Sequence, residues 1–302
     1  MSIPYFDCHC DTIVEASLSS QGLLQNGGQL DINRLVQYSP CAQVFAVCTG
    51  YRENAVGGAQ KYIDGFLHEI TKHADKISLC LNIKDIDNAV SVGKVAALLS
   101  IEGAEQISLL EKAYSDGVRI IHPTWNYDNS LSGAAADSGS GLTSLGKEFV
   151  RKCQSMGILL DMSHISERGF WDVLELSERP VIAGHSNSKA LCDVPRNLTD
   201  EQFTALKNSG GGAGINLYPE FLGFNRDIDA VIGHIEHFLA LGGEKAVFLG
   251  CDFDGIDITP EGIDGVQDIE MLYNALLRRN YSESLVKDIF WSNLYDIIGR
   301  AL

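Results

Sequence analysis

Five apolar runs in this chain of 302 residues end in side chains that bind metal ions or move protons. The first, 3–9, leads through Asp7-Cys8-His9-Cys10 to Asp11. Alternation along an extended segment would put Asp7, His9 and Asp11 on one face and the two cysteines on the other. Runs 96–101, 157–162 and 180–184 are followed by Glu102, His164 and His185, and run 246–251 delivers Asp252 and then Asp254. Taken singly, each has an ordinary explanation: a hydrogen-bonded core histidine, or a carboxylate at a helix N-terminus. Their recurrence at the same end of five runs is what carries information. Three histidines with several carboxylates suit Zn²⁺. That inventory exceeds what one catalytic zinc with an open position needs, so a two-metal site is expected. In such a site one carboxylate bridges ions about 3.5–4 Å apart, and a shared water is acidified to hydroxide near neutral pH.

The elements that would position these groups follow from periodicity. Short apolar runs at 3–9, 42–48, 96–101, 118–122, 157–162, 180–184, 212–217 and 246–251 alternate with helical patterns at 55–74, 106–116, 143–155, 166–177, 199–208 and 227–241. A further short strand at 77–81 and a closing helix at 283–300 complete the reading. Strands alternating with helices over this length predict an α/β fold, a (β/α)8 TIM-like barrel in a single domain spanning 1–302. An open sheet binding a dinucleotide would carry a Gly-rich turn after its first strand, where this chain has Cys8-His9-Cys10-Asp11. Barrel active sites form at strand C-termini, the end where the five runs place their polar residues. The small-residue stretch 133–141 suits a loop over the barrel mouth.

Composition narrows the partners. With 23 Lys plus Arg against 40 Asp plus Glu, the formal charge of -17 argues against nucleic acid and against an anionic membrane surface. No apolar run approaches the roughly 20 residues that span a bilayer, and the first nine residues leave no room for an export signal. The expectation is a cytoplasmic protein whose eight cysteines are reduced core thiols, with a small-molecule substrate and a homodimer allowed. His68, His73, His234 and His237 lie on helical segments and read as surface residues.

Asp7-Cys-His9-Cys-Asp11, Ser100-Ile-Glu102-Gly, the segment ending Asp161-Met-Ser-His164-Ile-Ser, Ala183-Gly-His185-Ser, Pro195-Arg196-Asn197 and Cys251-Asp252-Phe-Asp254-Gly, in this order, resemble the membrane (renal) dipeptidase family of zinc peptidases over nearly the full chain. The resemblance implies two Zn²⁺, with His9 and Asp11 on one ion, His164 and His185 on the other, and Glu102 bridging. It implies dipeptide hydrolysis by a metal-bridging hydroxide, Asp252 handling the leaving amine's proton near the substrate amino group, and Arg196 pairing with the C-terminal carboxylate. Tyr218, in Asn216-Leu-Tyr218, is implied to line the substrate pocket. One departure is plain: Trp125 stands where mammalian members carry a substrate-contacting His, and His122 lies three residues too early to replace it. Trp125 then closes the pocket, and Asn126 or Asn129 is left to donate a hydrogen bond. The departure keeps a metal-dependent amidohydrolase of cyclic amides, lactones or acylated amino acids as an alternative. A non-catalytic ligand-binding barrel is the remaining class.

Overall fold

The computed structural model describes residues 2–48 and 58–302. All eight expected runs become strands: β1 (Tyr5–Asp7), β2 (Cys41–Val47), β4 (Val95–Glu102), β5 (Val118–His122), β6 (Leu159–Leu160), β7 (Ile182–Ala183), β8 (Gly212–Ile215) and β9 (Val247–Leu249). They pair in parallel in the order β6-β5-β4-β2-β1-β9-β8-β7. The two ends of that path meet where Asp161 bridges Ile182: Met162 N–H donates to the Ile182 carbonyl (2.6 Å), and Asp161 Oδ1 accepts from Gly184 N–H (2.8 Å). The result is a single-domain, nearly closed (β/α)8 barrel. The extra strand β3 (Ile77–Leu79) is also present, outside the ring, paired with the first half of β4.

Alternation along the strands builds two apolar layers. Phe6, Val44, Leu98, Ile120, Leu159, Ile182 and Phe248 fill the barrel. Their chain neighbours Phe45, Leu99, Ile121, Leu160, Ala183 and Leu249 face the helices. Because every strand is covered on both sides, each reads as a mostly apolar run, with isolated polar residues such as Gln43 and Arg119, rather than a regular alternation.

The crossover helices begin where caps permit. Thr143, Ser166, Thr199 and Asp227 each accept from a backbone N–H one turn in, opening Ser144–Met156, Glu167–Leu176, Asp200–Asn208 and Ile228–Ala240. The expected helix 55–74 is Ala59–Lys72, and positions 55–57 lie outside the described residues. The 106–116 pattern shrinks to Leu110–Ser115 after a turn at Ala104–Gln106. The closing 283–300 pattern is interrupted by a wider turn at Asp288–Ser292. Helix Ile83–Ser91, unanticipated, links β3 to β4. Among the described residues, no helix is long and apolar enough to cross a membrane.

Close strand approach under the site depends on glycine. A Cβ on Gly214 or on Gly250 would collide with the Gly184 carbonyl, so glycines on β8 and β9 allow both strands to pack against the end of β7.

Candidate metal centre

His9, Asp11, Glu102, His164, His185 and Asp252, carried by five different strand ends, converge on one point at the C-terminal mouth. Glu102 stands at the centre with its two oxygens facing different groups. Oε1 lies 2.8 Å from His164 Nε2 and 3.3 Å from His185 Nε2, and those two nitrogens are 3.0 Å apart. Oε2 lies 3.9 Å from His9 Nε2, which is 3.4 Å from Asp11 Oδ2 and 3.7 Å from Asp252 Oδ1.

These atoms fit a metal. Three ligand atoms at zinc bonding distance in a tetrahedral arrangement stand about 3.3 Å apart, close to the Glu102–His164–His185 triangle. Both ring nitrogens of His9 and Nδ1 of His185 are buried without a hydrogen-bond partner, a cost that native interiors avoid unless something else binds there.

The environment polarises the cluster. Burial opposes charge on His9, but Glu102, Asp11 and Asp252 overcome it and hold the ring's pKa up at about 10. Burial and then the Arg196 guanidinium push His164 down to about 4, and burial with His9 puts His185 well below its usual range. Burial opposes ionisation of Glu102, yet His164 and His9 keep it well below the carboxylate norm. Burial, then Asp11 and Glu102, raise Asp252 to about 7 against His9. His164 and Asp252 both have a left-handed backbone, φ 71° and 64°, strain of the kind that surrounding structure must hold in place. For His164 that support includes the 133–141 loop, where Ala135 N–H donates to the His164 carbonyl (2.8 Å).

Around the cluster, Arg196 is buried and bonds only weakly, through Ser186 Oγ and the His185 carbonyl at 3.4 Å each; it makes no ion pair with a described residue. Asn216 Nδ2 donates to Asp252 Oδ2 (2.9 Å). Two residues on, Tyr218 is half-buried with its ring edge-on to Phe221, whose face receives the Arg196 guanidinium. Trp125, also half-buried, stands with its ring centre 6.4 Å from that of His164.

Several residues fall differently from the sequence reading. Asp7 does not share the site with His9. The register slips between Asp7↔Leu249 and Cys10↔Phe253, so strict alternation ends there, and the Asp7 carboxylate accepts from Cys251 N–H, Tyr5 Oη and Gln43 Nε2. Asp254 turns away to accept from Thr12 Oγ1 and Gln29 N–H. His122, by contrast, is the core histidine that the sequence suggests, fully buried under the cluster, 3.9 Å from Glu102 and 3.4 Å from Asp161. His234 is buried rather than exposed, and its Nδ1 accepts from Ser188 N–H. Asn126 has a role the sequence reading did not give it: its Oδ1 takes the hydrogen bond from His164 Nδ1 (2.8 Å). That contact joins two loops, and no local spacing announces it.

Fold and donor set together define a metal-dependent hydrolase of the α/β-barrel class. The pattern of the membrane dipeptidase family, peptidase family M19, matches residues 1–301; the chain belongs to that family and, with it, is a metal-dependent dipeptidase. A metallopeptidase from Rhodobacter sphaeroides, solved with a phosphinate mimic of the dipeptide L-Ala-D-Ala, superposes with a TM-score of 0.91 over 100% of both chains at 25% identity. Dipeptidase AC, a metallopeptidase of family M19, gives 0.89 at 26% identity over 100% of this chain and 99% of its own. An uncharacterized Klebsiella pneumoniae protein from the pqqA 5' region is 34% identical over 241 residues, 74% of this chain and 89% of that protein.

Proposed function

We propose that the chain hydrolyses dipeptides with two Zn²⁺, one held by His9 and Asp11, the other by His164 and His185, with Glu102 shared. The observation carrying this reading is Glu102 itself, whose two oxygens face two separate donor groups. When bound, a pair of divalent ions acidifies a shared water and polarises the scissile carbonyl.

The remaining roles fall to the chain's own side chains. Asp252, with a pKa lifted to about 7 and its Oδ2 fixed by Asn216, is suited to take a proton from the attacking water. It then returns that proton to the leaving nitrogen as the C–N bond breaks. Arg196, a buried cation without an ion-pair partner among the described residues, receives the substrate carboxylate in a planar fork. Asp252 and Asp11 supply negative charge for the free amino group at the other end. Charge at both ends sets the length at two residues, and tripeptide turnover at a comparable rate would overturn that limit. Tyr218 and Trp125 are proposed as pocket walls. A cytoplasmic location belongs to the same proposal, supported by eight cysteines none of which forms a disulfide.

Trp125, where a histidine is expected, favours one second reading, an amidohydrolase of cyclic amides, lactones or acylated amino acids. One experiment separates the readings: metal analysis with a panel of L,L and L,D dipeptides and cyclic amides, before and after chelation. The L,D members are included because the Rhodobacter neighbour holds an L,D mimic. The expected result is about two zinc ions per chain and dipeptide turnover lost on chelation. Near-zero metal with no chelator effect overturns the proposal, and turnover of cyclic amides alone selects the second reading.

A further inference from the structure

Cys48 follows the last residue of β2, between the ends of β1 and β4 that carry the His9–Asp11 pair and Glu102. Its thiol and the carboxylate oxygens of Asp11 and Glu102 all lie within 4.8 Å of one another. The other cysteines differ. Cys8, Cys10, Cys41, Cys80, Cys153 and Cys251 are buried, and Cys192, half-buried beside the Glu220 carbonyl, belongs to no cluster of metal-binding side chains among the described residues. Cys48 is half-buried at the barrel mouth.

A second observation marks the same place as a cation site. His9 Nε2 is buried, has no hydrogen-bond partner and is turned toward Asp11 and Glu102. A thiolate about 2.3 Å from an ion and a carboxylate oxygen about 2.1 Å from it stand at most about 4.4 Å apart. In a tetrahedral arrangement the same bonds put the two donors about 3.6 Å apart, so direct ligation needs a closure of at most about 1.2 Å from the 4.8 Å limit, within reach of a Cys rotamer change.

We propose that Cys48 is a further ligand to the ion held by His9, Asp11 and Glu102, which rests on the metal-centre reading above. On ligation the S–H bond breaks, its proton leaves to solvent, and the sulfur electron pair forms the bond to the ion. A soft donor at this half of the site selects thiophilic ions such as Zn²⁺ and Cd²⁺ over Mn²⁺ and Mg²⁺.

The test is the cobalt-loaded protein and its Cys48→Ser variant, read by absorption. The wild-type chain is expected to show visible cobalt bands together with a near-ultraviolet thiolate-to-cobalt band, and the variant to keep the first and lose the second. Iodoacetamide labelling gives an independent readout. Zinc loading should slow alkylation of Cys48 by about tenfold or more and leave Cys192 unchanged. Cobalt bands without a thiolate band, a thiolate band that survives in Cys48→Ser, or equal labelling of Cys48 with and without zinc would each overturn the proposal. Absence of every cobalt band removes the metal-centre reading and this proposal together.

Discussion

The two halves of the cluster use the same residue type to opposite electrostatic ends. On one side His9 is ringed by Asp11, Asp252 and Glu102, which hold its pKa up at about 10 in spite of burial. On the other, His164 and His185 share one carboxylate and feel Arg196, and burial keeps both neutral at ordinary pH. The His9 half is rich in charge and carries protons that a metal must displace. The His164 half presents bare nitrogens, one of them oriented from behind by Asn126. The difference teaches that ligand identity does not set a site's readiness; the neighbours decide which ring is already in its ligating form.

The largest effect should come from the one residue both halves share. Glu102→Gln keeps the shape but removes the negative charge both halves share and replaces one of its two oxygens with an amide nitrogen that does not bind a metal, leaving only a neutral carbonyl donor for the other half. Metal content should fall on both sides, and kcat/KM should drop on the order of 10⁴-fold, as expected when several kcal/mol of Lewis-acid stabilisation is lost. Elemental analysis and steady-state kinetics check this; two ions retained in the variant would show that the halves do not meet at Glu102.

Asp252 separates proton transfer from metal binding. Asp252→Asn preserves the Asn216-side shape yet cannot carry a proton, so turnover should fall about 10²- to 10⁴-fold with metal content intact. Loss of metal in this variant would instead make Asp252 a ligand of the His9 half.

Asn126 acts on the other half alone. Asn126→Ala removes the acceptor that keeps the His164 proton on Nδ1 and Nε2 bare. Affinity for the ion on that side should weaken about 10- to 100-fold, and the His9-side ion should be retained, as competition with a chelator would measure. Equal weakening of both ions would dissolve the distinction between the halves.

Much of this arrangement is legible in the sequence. Every barrel strand is legible as a mostly apolar run, because strands covered on both faces have no solvent side to impose a regular polar alternation. The residues that converge at the mouth are legible by position, each at or just past the end of such a run. What escaped were features that sequence spacing does not carry. Asp7 read as a site residue because alternation was extended past the register slip against β9. Cys48 read as core because it closes the mostly apolar run 42–48, and only the neighbouring of β1, β2 and β4 brings its thiol to Asp11 and Glu102. Asn126 and His164 are 38 residues apart and meet only through two loops at the mouth. His234 read as exposed on a helix, yet that helix turns it inward to the chain after β7.

The smallest expected effect is also the most direct reading of the asymmetry. In the metal-free protein at neutral pH, His9 retains its proton because its pKa stands near 10, whereas His164 at about 4 and His185 do not. A ligating imidazole must be neutral, so binding at the His9 half expels the His9 proton, with the Cys48 thiol proton beside it where that thiol ligates, and binding at the His164 half expels none. Raising pH toward about 10 removes the competing proton. Apparent affinity at the His9 half should therefore strengthen by at least about tenfold per pH unit between about pH 7 and 9, more steeply where the Cys48 proton is also displaced, and affinity at the His164 half should stay nearly level. Below about pH 7 the first slope should steepen, because burial and then Glu102 and Asp254 lift Asp11, against His9, to about 6, so that a second proton competes. Calorimetric titration in buffers of different ionisation enthalpy counts those protons. Parallel pH slopes for the two ions would mean that the polarised cluster does not govern metal entry.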